Sequence, residues 1–558
     1  SRTLEGGLDA KWGISQGFTL DATLIPNFGE AQSDNTVRNL SPFEQQYEER
    51  RQFFTEGTEL FSKGDIFYSR RIGGGPSGFF EAANSLDSNE ILLKNPSQQQ
   101  LYNATKISGR TKRNLGVGFL NAVAGPTFAK IRDEKTGQER DFQTAVLTNY
   151  NVFVLDQALK NNSAISFTNT SVLREGSARD ADVTSAQFNL RDNENRFEIA
   201  GKAFLSQIFN PKILGKKGDQ TGLGYGLGLN KVRGKYLWGG NFSFIDARFD
   251  KRDLGINERN NVFDQSVFIN RGNYEPTASR LYRTWGISAS NTFLASPRKW
   301  ESFNVTGSFE QMNLRQQTFS LVVDSRPFWY FDYFEPRVFG KKQRHAPWIA
   351  LVPGFSTDKR KKLQAEFVFI LGESPLPHDP YLAVNFNVGW SVSDHVILRG
   401  AAEISKDYSN YGAVNWWRDP NDVIFGRRDI NSVDNSLAAE YLFSEKMSAT
   451  IRARHYWSRL FYHEYLHLLE DGNYSPAPDW DEPADENFNL FNVDFVYTWQ
   501  FAPGSFLNLI WKNAIFEGDS ARNGGYFDNF RKTADTPQDN SLTLKVIYYL
   551  DAAGWKKR

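Results

Sequence analysis

Tyr381-Leu382-Ala383-Val384-Asn385-Phe386-Asn387-Val388-Gly389-Trp390 is two interleaved sequences. Leu382, Val384, Phe386, Val388 and Trp390 make an apolar series; Tyr381, Ala383, Asn385, Asn387 and Gly389 make a more polar one. Successive side chains of a strand point to opposite faces, so this alternation predicts a half-apolar strand. The next segment sets Val396, Leu398, Gly400, Ala402 and Ile404 against Arg399, Glu403 and Ser405. Near the C-terminus Phe491, Val493, Phe495, Tyr497, Trp499 and Phe501 oppose Asn492, Asp494, Thr498 and Gln500, and a last strand is read over Leu542–Leu550. Most segments run about 10–14 residues, longer than the ~5–6 of an average strand and near the ~9–11 that cross a bilayer at a tilt. Trp238, Trp390 and Trp499 sit at the ends of apolar series, where an interfacial aromatic girdle belongs.

The connections alternate in length. Short turns fall at Gly109–Arg113, Lys160–Ser163, Asp192–Asn195, Arg233–Lys235, Ser296–Lys299, Thr357–Lys361, Ser391–Asp394, Ser444–Lys446 and Ala502–Gly504. The longest connections are about Arg248–Ser279, His463–Asp485 and Asp519–Gln538. Eighteen strands around nine turns, with a first strand near Gly6–Gly13 and the last one, give about twenty (18–22). The expected fold is all-β: a transmembrane antiparallel β-barrel with an early plug segment. Residues 1–26 would carry the first barrel strand, 27–101 the plug with a short helix, and 102–558 the remainder of the barrel. A soluble propeller or chain of sandwiches would need a fixed-period repeat or domain linkers, and neither is read.

Composition narrows the function. There is no cysteine, so disulfides, Cys-based zinc sites and thiol nucleophiles are excluded. Lys+Arg and Asp+Glu are both 65, which argues against a globally basic nucleic-acid binder. No apolar run approaches the ~18 residues of a spanning helix. The alternating glycines Gly222, Gly224, Gly226 and Gly228 mimic a phosphate loop but lie in mid-strand with no following helix. They are read as room for bulky neighbours.

Residues 27–101 break the alternation. Ser41 is read as a helix N-cap, with Pro42 next and Glu44 three residues on, for a helix reaching about Phe54. The blocks "DATLIPNFGEAQSDN" from Asp21, "ERRQFFTEG" from Glu49 and "FYSRRIGG" from Phe67 resemble an uncharacterised family of Bacteroidota outer-membrane barrels. "VIFGRRD" from Val423 and the terminal strand carry the likeness further. In that family the barrel commonly follows a domain similar to carbohydrate-binding module family 9, which these residues do not contain. The family usually has Asn-Pro-Asp-Phe-Gly where this chain reads Ile25-Pro26-Asn27-Phe28-Gly29. The resemblance implies fold and location, the Gram-negative outer membrane, and no established reaction.

A barrel of about twenty strands has a lumen too wide for its own side chains to fill. Residues 27–101 would fill it, with Glu48, Glu49, Arg50, Arg51, Arg70 and Arg71 anchoring the plug to lumen groups such as Glu366, Glu403 and Asp494. The one enzyme-like constellation is His463-Glu464-Tyr465-Leu466-His467 with Glu470. On a helix it would be a zinc hydrolase site with Glu464 as base. On a strand the two histidines stand about 13 Å apart, too far for one zinc. No cofactor, catalytic residue or metal is therefore expected. The expected role is a plugged channel or transporter, or the membrane component of a transport or secretion assembly. A structural barrel with a closed lumen and a surface zinc hydrolase are the alternatives. Expected partners are outer-membrane lipids and envelope proteins such as a lipoprotein; a glycan or peptide ligand is compatible.

Overall fold

A computed structural model describes residues 6–26, 32–210, 219–256, 259–374, 379–414, 421–519 and 524–550. Residues 27–31 of the early segment, among them Asn27 and Phe28, lie outside the described residues. Strand takes 61% and helix 4%, so the chain is all-β. The main element is one antiparallel sheet of 24 strands. Each of the nine short turns lies between two of its strands.

The chain groups into two compact units. In the first, Leu8–Ser15 pairs with Phe18–Leu24, which pairs with Leu101–Arg110, and the meander continues to Tyr236–Ile245. In the second, Lys299–Asn313 opens a meander through Thr318–Arg326, Trp348–Ser356, Leu363–Glu373, Tyr381–Ser391, Val396–Ala413, Ile424–Ser444, Met447–Leu468, Glu486–Ala502 and Ser505–Asp519 to Gln538–Ile547.

Polarity across the sheet is reversed from that of a water-soluble sandwich. In the second unit Ala439, Ile451, Phe495, Trp511 and Leu542 stand in register across five strands on one face. This face is open, with Leu437 and Leu542 each 71% exposed. On the opposite face Arg452, Asp494 and Lys512 are in register, and Arg454 and Asp494 are only 2% and 3% exposed. In the first unit the open face is likewise apolar, and the buried face is mixed. Phe119, Phe153, Phe167, Leu223 and Leu227 are exposed, while Lys106, Asp156, Thr168 and Ser185 are buried on the other face.

Residues 53–72 cover that face of the first unit, which buries apolar residues as well as polar ones. Phe54, Leu60, Phe61 and Ile72 pack on Leu101, Ala104, Leu120, Ala122, Val152 and Val154. In the glycine row a Cβ at Gly222 would lie 2.3 Å from the backbone of Phe249, and one at Gly228 2.2 Å from Asn241 Oδ1.

Several expectations are corrected. Twenty strands become 24, the additional ones being Phe18–Leu24, Val262–Asn273, Thr318–Arg326 and Tyr474–Pro476. The turn before Thr318 has neither Gly nor Pro. Instead Asn313 Oδ1 accepts the N–H groups of Arg315 and Gln317, and Gln316 takes φ 57°. The connection read as Arg248–Ser279 is interrupted by Val262–Asn273, and the last strand is Gln538–Ile547 rather than Leu542–Leu550. Within 102–558, Thr127–Asp133 and Glu139–Ala145 leave the main sheet to form a three-stranded sheet with Glu90–Lys94. The helix read from Ser41 shrinks to Gln52–Thr55 because side chains take the backbone donors upstream. Asn39 Oδ1 accepts from Ser41 N–H, the Tyr68 hydroxyl from Tyr47 N–H, and Glu49 Oε1 from Arg50 and Arg51 N–H.

Lys106 is 1% exposed; its ammonium donates to the Phe53 carbonyl at 2.7 Å and lies 3.6 Å from Asp21. Lys106→Met is expected to cost about 2–4 kcal/mol, since it strands a carboxylate and a carbonyl. Equilibrium urea unfolding checks this, and Lys106→Met/Asp21→Asn should recover part of the loss.

Candidate functional site

The polar faces hold the grouped chemistry, each within its own unit. In the second unit a cavity of about 670 Å³ is lined by Lys359, Glu366, Asn387, Arg399, Arg452 and Asp494, among others. Strand phase puts these groups there: Arg452 and Arg454 alternate with the open-face residues Ile451 and Ala453, and Asp494 with Val493 and Phe495. Charges of both signs line it or pair with its lining at contact range. Lys359 lies 3.8 Å from Glu366, Arg399 3.1 Å from Glu440, and Arg452 4.0 Å from Asp494. Such a wall offers donors and acceptors to a polar solute without a strong net field. In the first unit a cavity of about 490 Å³ is lined by Lys63, Asp65, Asp156, Lys202, Gly226 and Gly228. There the glycines leave the volume that side chains would fill.

Segment 32–42 belongs to the second unit and lies along its polar face. Ser33 donates to Asp494 through its backbone N–H at 3.1 Å and its hydroxyl at 2.7 Å. Arg454 donates to the Thr36 carbonyl at 2.9 Å and pairs with Asp434 at 2.7 Å. Arg38 pairs with Glu486 at 2.6 Å, and its N–H donates to the Tyr456 hydroxyl. The early segment thus meets Asp494 through Ser33. Glu366 pairs with Lys359.

The six expected anchors split in role. Arg51 bonds inside the segment: to Glu49 at 2.7 Å, to the carbonyls of Ser69 and Ile72, and over the Phe54 ring. Glu49 also accepts from the Ser69 hydroxyl at 2.6 Å. Arg70 donates to the Glu48 carbonyl. Arg71 pairs with Glu44 and reaches outside the segment to donate to the Gly255 carbonyl at 3.1 Å. Arg50 gives its N–H to Glu49. These bonds of Glu49, Arg51 and Arg70 shape the segment itself. Its attachment within the first unit runs through strand residues that the sequence reading missed: Lys106, Thr168, whose hydroxyl donates to the Lys63 carbonyl, and Lys11, which pairs with Glu56 at 2.8 Å. Their signal was phase: each is polar on a strand whose opposite face is apolar.

The zinc motif lies on the strand Met447–Leu468, and its groups are held separately. His463 Nε2 is 3.0 Å from Asp429, and His467 contacts Asp422 at 2.7 Å and Asp479 at 3.3 Å. Glu464 pairs with Arg427 at 2.5 Å, and Glu470 with Lys341 at 2.6 Å. Among the described residues no three His, Asp or Glu side chains gather as a metal-ligand set.

Over residues 1–558 the chain matches the family described as Domain of unknown function (DUF5916). The chain belongs to this family. No curated protein matches it.

Two outcomes follow. Burial alone would raise the Glu49 carboxyl, but the Arg51 guanidinium and the Ser69 hydroxyl outweigh it and hold it below its ordinary 4.5. Its stabilisation is therefore complete above 4.5 and is lost as pH falls through the depressed folded value. Hydrogen exchange over residues 47–72, corrected for intrinsic rate, should accelerate on acidification below 4.5, and Glu49→Gln should remove that pH dependence. Zinc content of the purified protein should be at background and unchanged by His463→Ala.

Proposed function

We propose that the sheet closes into a transmembrane β-barrel in the outer membrane of a Gram-negative cell. Residues 27–101 would occupy its lumen as a plug. The protein would act as a plugged channel or transporter, or as the membrane component of a larger transport or secretion assembly. The observation that carries this is the reversed polarity: rows of exposed Leu, Ile, Phe and Trp on one face and buried Arg, Asp and Lys on the other. Water on the open face would leave that area uncompensated, whereas hydrocarbon accepts it.

Dimensions support the reading. From Phe491 to Phe501 the apolar face spans ten steps, about 33 Å along the strand and about 25 Å in height at a tilt near 40°. That matches the apolar band of outer-membrane barrels. Trp499, Tyr497, Tyr441 and Phe443 lie near the short turns, in the place of an interfacial girdle. The polar cavity walls suit a glycan or peptide, recognised by hydrogen bonds from amides and paired charges. A lumen closed permanently, as in a structural barrel, is favoured by the full burial of Phe61, Ile66 and Ile72.

Conductance in planar bilayers tests the channel. The intact chain is expected to conduct weakly, and deletion of residues 30–75 to raise conductance by about ten-fold, as a wide lumen opens. Equal conductance from both proteins removes the plug, and a chain that stays monomeric in water without detergent removes the barrel.

A further inference from the structure

One helix lies on the apolar face of the second unit. Beyond Leu437, Ala453 and Phe491 that face turns polar, with Asn435, His455, Asn489 and Asn487. These groups stand at the end of the face remote from the turns Ser444–Lys446 and Ala502–Gly504. Yet they are not open to the surroundings: His455 and Asn489 are buried, as is Trp457 between them.

The helix Tyr526–Lys532 buries them. Its Tyr526 hydroxyl accepts from Asn435 Nδ2 at 2.6 Å and meets His455 Nδ1 at 3.2 Å. Asn529, fully buried, accepts from Asn487 Nδ2 on its side-chain oxygen at 2.7 Å and from Asn489 Nδ2 on its carbonyl at 3.1 Å. Asn489 Oδ1 and Asn487 Oδ1 are in turn taken by His455 Nε2 and Trp457 Nε1. The row of polar strand groups is satisfied by the helix and by itself.

What the helix offers outward is different in kind. Phe527 is 73% exposed and Phe530 is nearly half exposed, the latter packing edge-on against His455 and beside Phe491. Arg531 and Lys532 lie in the last turn. Aromatic side chains next to cations, continuous with an apolar face, match the chemistry of the boundary between acyl chains and headgroups.

We infer that the helix Tyr526–Lys532 is a lipid-interface buckle: it seals the polar end of the apolar face and inserts Phe527 and Phe530 into the bilayer boundary, with Arg531 and Lys532 toward headgroup phosphates. The inference rests on the membrane reading above and adds the partner of this surface, the bilayer interface itself. An amphipathic element in this position sits about 5–10 Å into the boundary.

The chain has no cysteine, so single-cysteine variants report from one place each. Phe527→Cys, Leu437→Cys and Lys135→Cys, each carrying an environment-sensitive fluorophore, are reconstituted into vesicles of phosphatidylcholine and phosphatidylglycerol. The lipids are spin-labelled either near the headgroup or near the chain end. Leu437 and Phe527 are 71% and 73% exposed, so the labels displace little packing. The label at 527 is expected to lose at least about half its emission to the shallow quencher and less to the deep one. The label at 437 should respond most to the deep quencher, and the label at 135, in an exposed turn, to neither. If 437 is quenched and 527 behaves like 135, the buckle is wrong and the barrel stands. If neither 437 nor 527 is quenched, the membrane reading fails and the buckle with it.

Discussion

The reversal of polarity across a single sheet is the constraint on which the rest of the structure depends. In an antiparallel meander the backbone groups between strands are spent on neighbouring strands, so the faces are decided by side chains alone. Because the side-chain period is two, each strand's phase commits every residue to one face, and a slip of one residue would send Arg452, Arg454 and Asp494 to the open side. The buried charges then need partners from the protein. They find them in one another, as Arg454 and Asp434 do, and in the early segment, whose carbonyls and hydroxyls meet Lys106, Arg454 and Asp494. The covering segment and the open apolar face follow from the same alternation.

Much of the fold was legible because alternation is a local signal. The nine turns marked strand ends, and the strand series around Leu382–Trp390 and Phe491–Phe501 keep the predicted phase in the pairing. What escaped was turn chemistry without glycine or proline, as at Asn313–Gln317, and polar-looking strands such as Val262–Asn273. The hairpin Thr127–Ala145 carries the same alternation as its neighbours, so period alone could not tell that it pairs with Glu90–Lys94 instead of the main sheet. The helix at Ser41 fell to competition: a capping pattern predicts a helix only if no other group takes its N–H donors, and Asn39, Glu49 and Tyr68 do.

The candidate site was legible in part, for a related reason. Arginine pairs in the segment stood out by density, and density marks where charge collects rather than what it bonds. Arg51 turned to Glu49 two residues away because a near partner needs little chain ordering. The groups that hold the segment, Lys106 and Asp494, were single polar residues on ordinary strands, distinguishable only by the face they occupy. The His463–His467 motif shows the converse: a spacing that brings two ligands together on a helix separates them on a strand, and each acquired its own carboxylate.

The attachment of Ser33 has a temporal consequence. It bonds to Asp494, 461 residues further along the chain, and Arg38 reaches Glu486 across 448. A contact of such separation can close only after all the strands between its two ends have been made. Residues 32–42 must therefore wait, unsatisfied, through the biogenesis of everything between them and their docking strands. Residues made before almost all of the strands they dock on are thus among the last of the described chain to find their place.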